Sequence, residues 1–290
     1  MRRLGLIALA LALGSCACSK RARPVVSSVE VDAFEGTDVV SMTSEQLEAR
    51  LTERLEASRF VLLAPGKPVP EGASPWIVKI AAGLSEPEVD AEPSSTVQVV
   101  LHLRQKGAME TWEVKARRTT AQAANDVEAV QAAAREALDA ALAEAVREAH
   151  ALIDLSDQKD DAVAARLADS DEAVTRAAVR ILARRHDGRA LAPLVARLET
   201  DDLTQIRETM GLLIELGDPA SVPALINASR AKDNVVQREI VFALGAIGGD
   251  EAQAYLDVVA TGHDDPFVRA SAEQALQELL DRRSRQGARK

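Results

Sequence analysis

The sequence predicts a multidomain α+β protein, a small β-α-β-β-β-α domain followed by an all-α solenoid. Three observations predict it. Asp171, Asp202, Asp233 and Asp264 recur every 31 residues, and Arg176, Arg207, Arg238 and Arg269 follow them five positions later. Two ladders sharing one period mark stacked units of a repeat array. Upstream of the ladders, Val25, Val29 and Val31 alternate as in a strand, whereas Leu47, Leu51 and Leu55 recur at i+4 as on one helix face. Finally, 47% of the 290 residues are hydrophobic but only 2% are aromatic, an aliphatic composition that lets short helices stack closely.

The chain opens with Met1-Arg2-Arg3, the apolar run Leu4 to Leu13, and then Gly14-Ser15-Cys16. A charged start, a short apolar stretch and a small-residue zone form a secretory signal peptide, expected over residues 1–15. The run is about half of the ~20 residues a spanning helix needs. Leu13-Gly14-Ser15-Cys16 resembles a bacterial lipobox, which implies cleavage before Cys16 and acylation of that cysteine. The alternative, Ser15-Cys16-Ala17-Cys18, puts Ser where the motif favours Leu. Ala17 stands where aspartate would signal inner-membrane retention, so the resemblance implies the periplasmic face of the outer membrane. Residues 16–24, with Lys20, Arg21 and Arg23 before Pro24, read as a lipidated tether.

Residues 25–124 read as an α/β domain. The first strand stops at Glu35-Gly36-Thr37-Asp38, and Thr43 with Gln46 three residues on forms a capping box for the Leu47-Leu51-Leu55 helix. Phe60 to Leu63, Trp76 to Ala81, Val97 to Leu103 and Thr111 to Ala116 read as four further strands. Pro87 and Pro93 mark a loop, and Gly107 a hairpin. From about Asn125 to Asp154 the chain turns helical, with Asn125 or Asp126 as cap. The run Leu47-Glu-Ala-Arg-Leu51-Thr-Glu-Arg-Leu55-Glu-Ala-Ser58-Arg59-Phe60, the strands after it and the alanine-rich closing helix resemble the periplasmic domain of curli-secretion lipoproteins and of lipoprotein activators of penicillin-binding proteins. The resemblance implies a domain that contacts proteins and performs no chemistry.

Residues 155–281 read as the repeat array. Leu182, Leu213 and Leu244 follow the first three ladder arginines by six residues, and Leu194, Leu225 and Leu256 by eighteen. Asp187-Gly188, Gly217-Asp218-Pro219 and Gly248-Gly249-Asp250 punctuate each unit into two short helices and a turn. The units Val174-Thr-Arg176-Ala-Ala-Val-Arg-Ile-Leu182, Leu216-Gly217-Asp218-Pro219-Ala-Ser-Val222-Pro223-Ala-Leu225 and Asp264-Asp265-Pro266-Phe-Val268-Arg269 resemble HEAT-like repeats of the phycobilisome-lyase type. Three full repeats, a terminal half-repeat from Asp265 to about Asp281, and a degenerate opening unit from Val146 to Leu167 are expected. The closing helix of the first domain would then double as the first solenoid helix, joining both domains into one rod. Residues 282–290 read as a frayed basic tail.

Both ladders read as structural: Asp as helix cap, and Asp with Arg of neighbouring units as pairs along the array. The resemblance implies that second helices, near Arg189–Thr200, Ala220–Ala231 and Glu251–Thr261, line a concave contact face. Arg197, Asn227, Arg230, Gln253 and Asp257 are the candidate partner contacts on it. Little else suggests chemistry. His102, His150, His186 and His263 show no metal-ligand spacing, and the His-Glu pairs of metal-binding HEAT-like hydroxylases are missing from the sequence. No nucleophile elbow or phosphate loop occurs, and both cysteines lie at the anchor. With 35 basic and 45 acidic residues, net charge −10, the chain lacks the footprint of a nucleic-acid binder. The expectation is a non-enzymatic, cofactor-free, metal-free outer-membrane lipoprotein, palmitate-type acyl chains holding it to the membrane, that scaffolds another envelope protein through its repeats. The alternatives are a subunit of an outer-membrane secretion or cell-wall assembly complex, and a lyase-like enzyme. Oligomeric state is left open.

Overall fold

The computed structural model describes residues 23–35, 40, 42–64, 66–85, 94–121, 126–230 and 233–287. The signal segment with Cys16 and Cys18, the loop prolines Pro87 and Pro93, and Asn125 lie outside the described residues.

Strand β1 (Val25–Phe34) leads into helix α1 (Ser44–Ala57), the short β2 (Val61–Leu62), and then β3 (Trp76–Ser85), β4 (Ser94–Gln105) and β5 (Thr111–Ala121). The sheet order is β2-β1-β3-β4-β5. β1 runs parallel to both β2 and β3, and β3-β4-β5 form an antiparallel meander. Thr43 closes the expected capping box on α1, its side chain accepting from the Gln46 N–H while the Gln46 side chain accepts from the Thr43 N–H. Leu47, Leu51 and Leu55 are all fully buried. On β4 the residues alternate, Val97, Val99, Leu101 and Leu103 facing the core, as a half-buried strand requires. The opposite face carries a charged row in register: Glu30 beside Lys79, Lys79 beside His102, His102 beside Glu113.

Helix α2 (Val127–Ser156) is capped by Asp126, whose side chain accepts from the Glu128 and Ala129 N–H groups. Its buried residues begin on one stripe, Ala134, Ala137, Leu138 and Ala141, and by Glu148–Leu155 nearly surround the helix. A helix buried on all sides must have neighbours on all sides. α2 packs on β4 and β5 and also on α4 of the repeats. One continuous core therefore runs from Val26 to Leu279.

The array continues as α3 (Asp160–Ala164) with a 3₁₀ turn Ala165–Ala168, α4 (Glu172–Arg184), α5 (Leu191–Ala196), α6 (Leu203–Leu216), α7 (Val222–Ser229), α8 (Asn234–Ile247), α9 (Asp250–Gly262) and α10 (Pro266–Gly287). The opening unit expected over Val146–Leu167 is built from the end of α2, from α3 and from the 3₁₀ turn. The chain is thus a mixed five-stranded sheet followed by a helical array.

Three expectations change. The ladder aspartates do not pair with ladder arginines of neighbouring units. Each of Asp171, Asp202 and Asp233 accepts backbone N–H bonds at the start of its own helix, and the ladder arginines are turned to other acceptors. Two of the arginines reach glutamates about one repeat away, Arg176 to Glu144 and Arg207 to Glu239, each at 2.8 Å. Asp264 is not the fourth cap; Asp265 is, accepting from Phe267 and Val268 N–H groups. Arg269 donates to the Asp264 carbonyl, at 3.0 Å. Lastly, α10 extends through residues 282–287 of the expected tail. Arg282 donates to the carbonyls of Ala246 and Gly245 at the end of α8, and Arg283 to Gln253 and Asp250, which fastens that turn to the array.

Candidate functional site

The repeats meet the sheet along its edge strand β5, which would otherwise offer unpaired backbone groups. Arg184, at the end of α4, lies 3.9 Å from the Trp112 ring centroid and donates to the Thr111 carbonyl. Arg118 pairs with Glu144 of α2. Arg117 reaches Asp202, the cap of α6, at 3.1 Å.

Between these contacts opens a cleft of about 430 Å³ walled by β5, α2, α4, α5 and α6. Arg176 lines it and donates at 2.8 Å to Glu148, an almost wholly buried carboxylate that also accepts from Arg180 at 3.3 Å. Burial by itself would lower the Arg176 pKa; the bond from Glu148 and the charges of Glu144 and Glu172 outweigh it and hold the guanidinium above its ordinary value. Arg197 differs. It sits at the end of α5 against the same cleft, and among the described residues its guanidinium makes no hydrogen bond or ion pair. Burial, with Arg180 nearby, lowers its pKa, while Glu208 pulls the other way. It is a cation with an opening beside it.

The other expected contacts are not gathered around Arg197. Asn227, Arg230 and Asp257 are exposed on α7, just past its end, and on α9. Gln253 is occupied, accepting from Arg283 at 2.6 Å. The histidines serve packing and turns: His150 is edge-on to Phe60 at 5.3 Å, and His263 is 2.8 Å from the Gln237 side-chain oxygen. His186, at φ 55, takes the left-handed helix-stop position that Gly217 and Gly248 fill in the next two units. Its spacing of 31 from Gly217 carried that signal, hidden because the residue is not glycine. Among the described residues no three His, Cys, Asp or Glu side chains cluster as metal ligands, and no helix is long and apolar enough to cross a membrane.

With this geometry, the helix pairs of the array can be compared with known repeats. Residues 207–277 match the family model of HEAT repeats. The HEAT match covers α8 and α9 and parts of α6 and α10, and so includes Arg207, Asp233, Arg238, Asp264 and Arg269 of the two ladders. Among curated proteins none matches the chain. Of solved structures, the hypothetical protein CT253 from Chlamydia trachomatis is similar over 44% of this chain and 96% of its own, at 14% identity and TM-score 0.33.

Proposed function

We propose that this protein is a lipid-anchored scaffold of the bacterial envelope, held by acyl chains on Cys16 at the periplasmic face of the outer membrane. Its HEAT-like repeats bind another envelope protein, and it carries no catalytic activity of its own. The observation behind the reading is the HEAT-like array itself, seated by one continuous core on a sheet. HEAT repeats often mediate protein interaction, because stacked units offer a long surface that asks little of any single residue. Arg197, Asn227, Arg230 and Asp257 are the contacts proposed on the second-helix side.

Two measurements test the reading. Cys16→Ala should abolish incorporation of labelled fatty acid; continued labelling would move the anchor to Cys18, and a parent chain that takes up no label would overturn the anchor. A photo-reactive residue placed at Asn227, Arg230 or Asp257 in living cells should give a discrete heavier protein adduct. Absence of an adduct at all three positions, or co-purification of a chromophore, would overturn the scaffold reading.

A further inference from the structure

The first helices of the units present a second surface, on which α6, α8 and α10 lie side by side. The chain has only four phenylalanines, and two of them stand in solvent on this layer: Phe242 is 63% exposed and Phe267 68%, with Val235 at 51%. Phe242 separates two grooves. One, of about 460 Å³ between α6 and α8, is floored by Met210, Gly211 and Ile214. The other, of about 650 Å³ between α8 and α10, runs over Gly245 and Ala275.

Two features mark the grooves as built to be filled. Gly211 lies inside α6, where glycine weakens a helix, yet a Cβ there would meet nothing. Packing does not demand the glycine; it leaves the groove floor open. The rim is cationic in a chain of net charge −10. Arg207, Arg238, Arg282 and Arg285 line the two grooves against Glu239 and Glu278. Glu239 is engaged by Arg207, Arg282 and Arg285 donate to backbone carbonyls, and Arg238, among the described residues, makes no hydrogen bond or ion pair.

We infer that this layer docks an acidic amphipathic helix of a partner protein, its apolar side chains seated on both sides of Phe242 and its carboxylates facing Arg238 and Arg285. The walls are helices whose backbone groups are already bonded, so an added strand would find no edge, whereas side chains spaced i, i+3, i+4 and i+7 fit grooves of this kind. The opposite charge steers the approach and selects against basic segments. The inference rests on the scaffold reading and adds to its second-helix contacts a further contact layer, on the first helices, with the chemistry of what docks there.

The test uses the full chain in detergent micelles and fluorescent helical peptides carrying leucine at i, i+3, i+4 and i+7, with glutamate or lysine elsewhere. The glutamate peptide should bind and the lysine peptide should not. Phe242→Ser, Gly211→Gln and Arg238→Glu, all at exposed positions, should each weaken binding tenfold or more, and added salt should weaken it further. Equal binding of both peptides, or unchanged affinity in all three variants, would overturn the proposal. So would a concentration-dependent dimer that Phe242→Ser dissolves, since the occupant would then be a second copy. Adducts retained at Asn227 or Arg230 alongside failed peptide binding would discard this surface and leave the scaffold reading in place.

Discussion

The carboxylate of Glu148 on α2 and the guanidinium of Arg176 on α4 meet at 2.8 Å in the seam between the sheet domain and the repeats, with the Glu148 side chain 1% exposed. Arg180 shares the same carboxylate. Removing Glu148 leaves Arg180 without its carboxylate but leaves Arg176 its outer partners Glu144 and Glu172, so the cost falls at the low end of the range for breaking a buried pair, about 3 kcal/mol. Glu148→Ala should therefore lower unfolding stability by about that amount in urea titrations. Both tryptophans, Trp76 and Trp112, lie on the sheet, so tryptophan fluorescence reports the sheet while far-UV circular dichroism is dominated by the array. The two transitions should coincide in the parent chain and separate in the variant. A loss below about 1 kcal/mol would show the seam to be hydrated like a surface pair.

Helix caps give a second, position-specific prediction. Asp233 and Asp265 accept N–H bonds from the first turns of α8 and α10, whereas Asp264 has no such role although it completes the 31-residue ladder. Asp233→Ala and Asp265→Ala should each cost about 1 kcal/mol. Asp264→Ala should stay within about 0.5 kcal/mol of the parent, as for an ordinary surface substitution. A larger loss at Asp264 than at Asp265 would return the cap to the ladder position.

Close packing of α8 on α10 gives a third. A Cβ at Gly245 would fall 2.8 Å from the Cβ of Ala275, nearer than such atoms come in folded proteins. Gly245→Ala should destabilise by about 1–3 kcal/mol through overpacking. Ala275→Gly added to it should recover part of that loss, because it removes the clashing atom. Strict additivity of the two changes in a double-mutant cycle would sink the idea.

What could be read from the chain alone follows from periodicity. The i+4 leucines of α1, the alternation on β4 and the 31-residue ladders repeat a signal several times, so they placed the sheet, the closing helix and the HEAT-like units. Single residues carry no such redundancy. The fourth cap slipped by one because Asp264 and Asp265 are adjacent and identical in type, and His186 hid a helix stop behind a non-glycine side chain. Charge pairing was the least legible. Glu144 and Glu148 lie on α2, the helix expected to double as the first of the solenoid, but no sequence spacing announces that its glutamates meet Arg176 and Arg180. Arg197 was named as a contact, but its place in a cleft against β5 emerges only from the packing of sheet on array. The exposure of Phe242 has no sequence signal of its own, because the period that buries Val241 and Leu244 gives no account of a large apolar residue left outside.

Acid titration should resolve two stages. His150 is half-buried, edge-on to Phe60, and partial desolvation lowers its pKa below the ordinary 6.5. The unfolded chain then takes up that proton first, so stability should begin to fall as pH drops below about 6.5. The carboxylates act lower down. Asp187 is held at about 2 by the side chain and backbone N–H of Arg189. Asp265 is lowered by the N–H groups of Val268 and Phe267. Asp202, though raised by burial, is brought below normal by the Gln205 N–H and by Arg117. A folded pKa below the unfolded value of about 3.9 means that the contribution is complete above that pH and is lost as pH falls toward about 2. The urea midpoint should thus decline gently below about pH 6.5 and more steeply from about pH 4 to 2. His150→Gln should flatten the first stage alone, and Asp187→Asn should shallow the second. A midpoint that stays level from pH 7 to 3 would show that neither group changes its protonation between the folded and unfolded chains in the sense derived from their surroundings.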